Sequence, residues 1–403
     1  MPKLNDYQQF GGRHWETGVL HNYFSYRGFT APHTGKPYSE ALFMGVSGGV
    51  VMGYFSFAYA GYDPQCNILT RNTFDPLDTM LGRLGVVQNR LQTSKPEKAV
   101  ANLVDILTSG VPAVVWADMW ELPYNGLDFD AGMWGMFPIL VYGYNVENGR
   151  VDIADRAAVT LAVTTEDLHR ARARVKKDKF RVMTLEAPNP AKLAAAVSAG
   201  IWDTINLYTE KPPKGSKNNF GLAAYQHWAN LLTRPNQKNS WQKVFPAGIP
   251  MYAGLTSAYS FALLFGQGVQ KDAERKRYAD FLNEAALILN RSELNTASDQ
   301  FKLAANAWAK LGETLLPDTI APFAEARQLL DQKHKLFLTQ GGGALVEIQG
   351  INGRLAQIRA AMADDFPLDS AGVTALREQI AGQVLEIRGI EETAVEALKQ
   401  AMR

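Results

Sequence analysis

The sequence predicts an α+β N-terminal half followed by an all-α C-terminal half, and three observations carry that expectation. Up to about Arg181 helical patterns alternate with runs of β-branched and aromatic residues at 112–117, 137–144 and 151–155. Beyond that point apolar residues recur every three or four positions, as in Leu345, Ile348, Ile351, Leu355, Ile358 and Met362. Between the two regimes Pro188, Pro190, Pro212, Pro213 and the polar run 214–219 mark a joint. The expected division is a first domain over 1–185, a linker over 186–219 and a helical domain over 220–403.

Taken in order, 15–27 reads as a helix ended at Gly28, because glycine tolerates the left-handed conformation that closes a helix. A second helix begins over 39–44 and runs into Gly45, Gly48, Gly49 and Gly53. These glycines lack a following Gly-Lys-Ser/Thr and follow a helix instead of a strand, so they make neither a phosphate loop nor a dinucleotide fingerprint. Close backbone packing is their expected use. The runs 137–144 and 151–155 flank Asn145 to Gly149 and read as an antiparallel pair, with Pro138 at an edge or a strand start because it has no N–H to donate. Thr164 and Thr165 before Glu166 and Asp167 predict a capped helix start. Near the end, Pro367 with Asp369 and Ser370 separates two helices that are expected to form an antiparallel hairpin.

Composition narrows the function classes. With 403 residues, 46% apolar and 20% charged, the chain has the balance of a globular protein of two or three domains. Forty-one basic and forty acidic residues leave a formal charge of +1, so no overall field favours nucleic acid or an anionic membrane. The most basic run, 170–181, reads as a solvated helix face. A single cysteine, Cys66, excludes a disulfide framework and a thiolate zinc site. His14 and His21 would share a helix face about 10 Å apart, too far for one metal ion, so neither metal nor cofactor is expected. No apolar run reaches the roughly 18 residues of a membrane helix and no signal-peptide pattern opens the chain, which makes a cytoplasmic, non-membrane protein the expectation.

One series of short motifs is more specific. Gly12-Arg13-His14-Trp15-Glu16-Thr17, Ser39-Glu40-Ala41-Leu42 with Gly45 and Gly48-Gly49, Val111-Pro112 with Asp118, Leu122-Pro123-Tyr124, Val141-Tyr142-Gly143-Tyr144 and Ala154-Asp155-Arg156 follow one another in order. The series resembles the N-terminal domain of the butirosin biosynthesis protein H family. Phe220-Gly221-Leu222 with Trp228, and 251–256, resemble the helical domain that accompanies it. That resemblance implies a papain-like cysteine-peptidase fold turned to acyl transfer, in which a thiolate at a helix start takes an acyl group from a carrier-protein thioester and passes it to an amine. Such a thiolate needs a histidine to activate it and an acid to orient the histidine.

In the family pattern the cysteine follows the residue equivalent to His14, where this sequence has Trp15. The family histidine belongs before Gly143, where Met136, Phe137 and Pro138 stand. His14, Glu16 and Asp155 remain as remnants of a catalytic set, each with a simpler explanation: a helix cap, a first-turn acid and an ion pair with Arg156. Cys66 sits in a loop-like segment far from the nucleophile position. Two readings follow. Either the domain has abandoned catalysis and binds, scaffolds or self-assembles, or a transferase or amide-processing chemistry uses His14, Glu16 and Asp155 in a remodelled site. Tyr54, Trp116, Trp134 and Phe137 are expected to line the altered cleft. A carrier protein or small molecule is the expected partner. The stripe Val373, Leu376, Ile380, Val384, Ile387, Ile390, Val395, Leu398 and Met402 predicts a homo-oligomer joined through the C-terminal helices.

Overall fold

The computed structural model describes residues 2–128, 130, 132–210, 216, 218–266, 268 and 270–403. Strands in chain order are β1 (Val50–Phe57), β2 (Gln65–Arg71), β3 (Gln88–Leu91), β4 (Ala113–Asp118), β5 (Met136–Asn145), β6 (Arg150–Ala154), β7 (Leu161–Thr164) and β8 (Val182–Leu185). The protein is mixed α/β with a helical C-terminal region. Its two compact units do not follow chain order: one comprises 1–43, 77–193 and 333–350, the other 44–76, 194–332 and 351–403.

The first unit is built on a six-stranded antiparallel sheet in the order β3-β8-β4-β5-β6-β7. All three strands expected from the sequence are present as β4, β5 and β6. The β5–β6 turn closes because the Asn145 side chain accepts from the backbone N–H groups of Glu147 and Asn148, a local bond that mimics a backbone turn. Pro138 is accommodated near the start of β5: it faces Trp116 of β4, while β6 pairs only from Leu140 onward. Leu103 and Leu107 of the helix Pro96–Thr108 join Val115, Ile139, Val141, Ile153 and Val182 in one buried core.

The helix Thr165–Ala173 carries a complete capping box between Thr164 and Asp167. The basic run that follows is only partly the solvated face expected of it. Arg172 is buried and donates from Nη2 to the Phe180 carbonyl at 2.6 Å, and burial pushes its guanidinium down to about 10.

In the second unit β1 and β2 form a two-stranded antiparallel sheet. The glycine-rich stretch holds the end of a helix, Glu40–Val46, and the start of β1. A Cβ on Gly200 would lie 2.0 Å from the Gly45 carbonyl oxygen, so the backbones approach as the glycines suggested. The expected linker contains the helix Leu193–Thr209, whose Val197, Ile201, Ile205 and Tyr208 are buried. Their spacing of four, four and three was obscured by the flanking prolines; Pro212, Pro213, Lys214, Gly215 and Lys217 lie outside the described residues.

The last helix, Ser370–Met402, starts where expected, with the Asp369 carboxylate accepting from the Gly372 N–H at 2.7 Å. It packs on Leu294–Leu315 and Gly221–Thr233, so the expected hairpin with Leu345–Ala361 is replaced by helices distant in sequence. Val373, Leu376, Ile380, Val384, Ile387, Val395, Leu398 and Met402 are all buried in this packing. Eight of the nine stripe positions are therefore covered within their own unit, Ile390 alone of the nine being half-buried, and the stripe no longer argues for a homo-oligomer.

Ala273 and Glu274 lead into the helix Arg275–Leu289 with φ of 52° and 66°, in the left-handed region that costs non-glycine residues free energy. Asp272 caps this turn by accepting from the Glu274 N–H at 2.9 Å. Burial, then the neighbouring Glu274 carboxylate, push the Asp272 carboxyl up from 3.8 to about 6; Arg277 and Arg275 oppose this only in part. Because the folded pKa is raised, the stability this group contributes is present below its unfolded pKa and lost as pH rises through about 6. Asp272→Asn should accordingly raise the unfolding free energy measured in urea at pH 8 by at most about 3 kcal/mol, and change it little at pH 3.5. Equal effects at both pH values would contradict this.

Candidate functional site

The helix Trp15–Tyr26 of the first unit begins at Trp15, and the residues before it are held by backbone-scale fits. A Cβ on Gly12 would lie 2.1 Å from the Gly18 carbonyl oxygen, so only glycine lets the incoming chain lie against the first helical turn. The Gly12 N–H donates to Asn22 Oδ1 at 3.1 Å. Glu40 reaches the same helix start: Oε2 accepts from the Arg13 N–H and Oε1 from the Thr17 hydroxyl, both at 2.9 Å. A carboxylate at this end is favoured by the helix dipole and satisfies donors that the helix itself cannot.

Trp15 is 3% exposed. Its indole stacks on the Phe137 ring with centroids 4.3 Å apart and planes 21° apart. The Arg156 guanidinium lies 4.6 Å from the Trp15 ring centre and 4.6 Å from that of Phe337, giving a cation two aromatic neighbours. Arg156 is fixed in turn by Asp155, whose Oδ2 accepts from Nη2 at 3.1 Å, and by the Asn125 side-chain oxygen. Asp155 is buried and also accepts from the Tyr124 hydroxyl at 3.1 Å. Burial, reinforced by the Asp155 carboxylate, drives the Tyr124 phenol well above its ordinary value, so it remains a neutral donor.

Of the residues singled out in the sequence, the fold brings Trp15 and Phe137 into contact and places Asp155 one residue from the guanidinium beside them. His14 does not cap the helix with its side chain. Its Nδ1 lies 3.1 Å from Glu16 Oε2 without hydrogen-bond alignment. Asp155 is buried and Arg156 half-buried, so their pair is not superficial.

The expected cleft lining does not assemble. Trp134 is 54% exposed. Trp116 faces Pro138 across the β4–β5 ladder, out of phase with the Ala117–Phe137 pair, and its ring lies 3.5 Å from the Arg181 guanidinium. Strand residues one step apart point to opposite faces, which is why a list of nearby aromatics is not a cleft. Tyr54 belongs to the second unit, where it stacks on Trp228 and accepts from Trp241 Nε1 at 3.0 Å. Cys66 lies on β2, not in a loop, and is fully buried; burial pushes its thiol far above the ordinary range, which removes thiolate character.

Phe337 and Asn125 were not singled out in the sequence, and Tyr124 entered only through the Leu122-Pro123-Tyr124 motif. Phe337 comes from a segment some two hundred positions downstream of Phe137, inside what reads as a helical half, and no local pattern betrays its return to the first unit. A shallow concavity of about 530 Å3 is lined by Trp120, Glu121, Pro123, Gly126, Arg170 and Gln349 among others, and by none of His14, Trp15, Glu16 or Asp155. Among the described residues no group of three His, Cys, Asp or Glu is placed to hold a metal ion, and no helix is long and apolar enough to cross a membrane.

A mixed α/β domain with a helix start, a strand start and a strand end converging on one buried point defines the class. Residues 14–156 match the family model described as butirosin biosynthesis protein H, N-terminal. No curated protein matches the chain.

Proposed function

We propose that the chain is a non-catalytic relative of the butirosin biosynthesis protein H acyltransferases that works by binding. The observation that carries this reading is the Trp15 indole, 3% exposed and stacked on Phe137, at the helix start where the family pattern has its cysteine. An indole offers no lone pair for acyl transfer, and a phenyl ring cannot take the proton of a nucleophile. Asp155 would orient a histidine in an active member; in this chain its carboxylate serves Tyr124 and Arg156. A chemistry routed through His14, Glu16 and Asp155 would have to break that pair first.

The test is intact-mass measurement after incubation with acyl-carrier-protein and acyl-pantetheine thioesters. The expected result is no covalent adduct and no transfer of the acyl group to added amines. An adduct mapped to 14–17, or catalysed transfer abolished by His14→Ala, would overturn the reading.

A further inference from the structure

In the second unit a groove of about 410 Å3 runs along one face of the helix Ile249–Leu263. Its floor is Ala253, Thr256, Ser257 and Ser260, small side chains at helical spacing that leave open space above the helix. The Thr256 and Ser257 hydroxyls donate back to the carbonyls of Tyr252 and Ala253 at 2.8 and 2.6 Å, so these polar atoms are satisfied within the helix. Tyr252, Phe261, Leu330 and Leu355 make apolar walls. The size falls within the roughly 300–1,000 Å3 typical of small-molecule pockets.

The charged residues of the lining are Asp63 and Arg359, which meet each other. Arg359 grips the Asp63 carboxylate through two parallel contacts, Nη2 to Oδ1 at 2.6 Å and Nε to Oδ2. Fork-to-carboxylate pairing is the geometry in which a guanidinium recognises any carboxylate. Both partners keep solvent contact, with side chains 44% and 31% exposed, and exposed ion pairs contribute little net stability. Exchange of one carboxylate for another keeps Arg359 paired and turns Asp63 out to water at the cost of a screened repulsion, while an apolar tail laid in the groove adds burial that Asp63 cannot supply.

We infer that this groove binds an aliphatic monocarboxylate, its chain on the Ala253–Ser260 floor and its carboxylate on Arg359 in place of Asp63. The inference does not depend on the reading of the first unit, because none of the residues it uses belongs there.

The probe is decanoate, titrated into the full chain by calorimetry below its micelle concentration, with decanol as the uncharged control. Saturable one-to-one binding is expected, weakened at least tenfold for decanol. Asp63→Asn removes the internal competitor and should tighten decanoate binding several-fold. Arg359→Gln should weaken it at least tenfold, and Ser260→Leu, which fills the floor, should abolish it; the melting temperature of each variant checks that it is folded. No saturable binding by either the natural chain or Asp63→Asn would overturn the inference. So would equal affinity for decanol, or binding by a folded Ser260→Leu protein that matches the natural chain.

Discussion

Glu391→Gln should destabilise the second unit by about 3–5 kcal/mol, read as a fall in the urea midpoint at pH 7, because it strands a fully buried cation. Neither the Glu391 nor the Arg275 side chain is exposed to solvent, and Arg275 Nε donates to Glu391 Oε1 at 2.7 Å. The same carboxylate accepts from Trp308 Nε1 at 2.9 Å, from the Tyr225 hydroxyl at 2.6 Å and from the Tyr208 hydroxyl. Arg275 also donates to the carbonyls of Thr70, Ala273 and Val51 at 3.0, 2.7 and 3.0 Å, so a single cluster joins both strands of the two-stranded sheet to the last helix. Burial alone would raise the Glu391 carboxyl, but Arg275 and the donated bonds outweigh it and hold it below its ordinary value. The stability it contributes is thus present above its unfolded pKa and lost as pH falls through the folded one. A second variant separates charge from packing: Tyr225→Phe removes one donor and leaves the ion pair, and should cost only about 1–2 kcal/mol. If Glu391→Gln and Tyr225→Phe proved equally mild, the cluster would not be held by its charge pair.

Nothing in the local sequence announces this cluster. Arg275 and Glu391 are ordinary polar residues of helical stretches, and burial was legible only for the apolar positions around them, such as Ile387, Val395 and Leu398. The same division runs through the whole chain. Elements whose cause lies within a few residues could be read: the Thr164 cap, the Asp369 cap, the Asn145 turn and the strands β4 to β6. Features decided by distant partners could not. The short strands β3 and β8 pair with each other although almost a hundred residues separate them, and the stretch 333–350 joins a unit whose other segments end at Leu193. At the candidate site Trp15, Phe137 and Asp155 were legible from the motif series, whereas Arg156 between Trp15 and Phe337 depends on that return of the chain.

Trp15→Ala should destabilise the first unit by about 3–5 kcal/mol, the range for truncating a large buried aromatic where the surroundings cannot collapse. Collapse is hindered on each side. Phe137 is held in β5 by its pairing with Ala117, the chain before Trp15 is pinned by the Gly12–Gly18 contact, and Arg156 is tethered by Asp155 and Asn125. Removing the indole takes a stacked ring from Phe137 and one of two aromatic neighbours from the guanidinium. Trp15→Phe keeps a ring on Phe137 and should cost distinctly less. The cavity left by alanine is apolar on the Phe137 side, and cavities of that kind take up small aromatic molecules. Added indole should therefore raise the melting temperature of the Trp15→Ala protein towards that of the natural chain, while leaving the natural chain unchanged. An alanine variant that melts with the natural protein would mean that Trp15 plugs nothing; one that melts lower but ignores indole would mean that the site closes over the gap, and the helix start would then be free to shift.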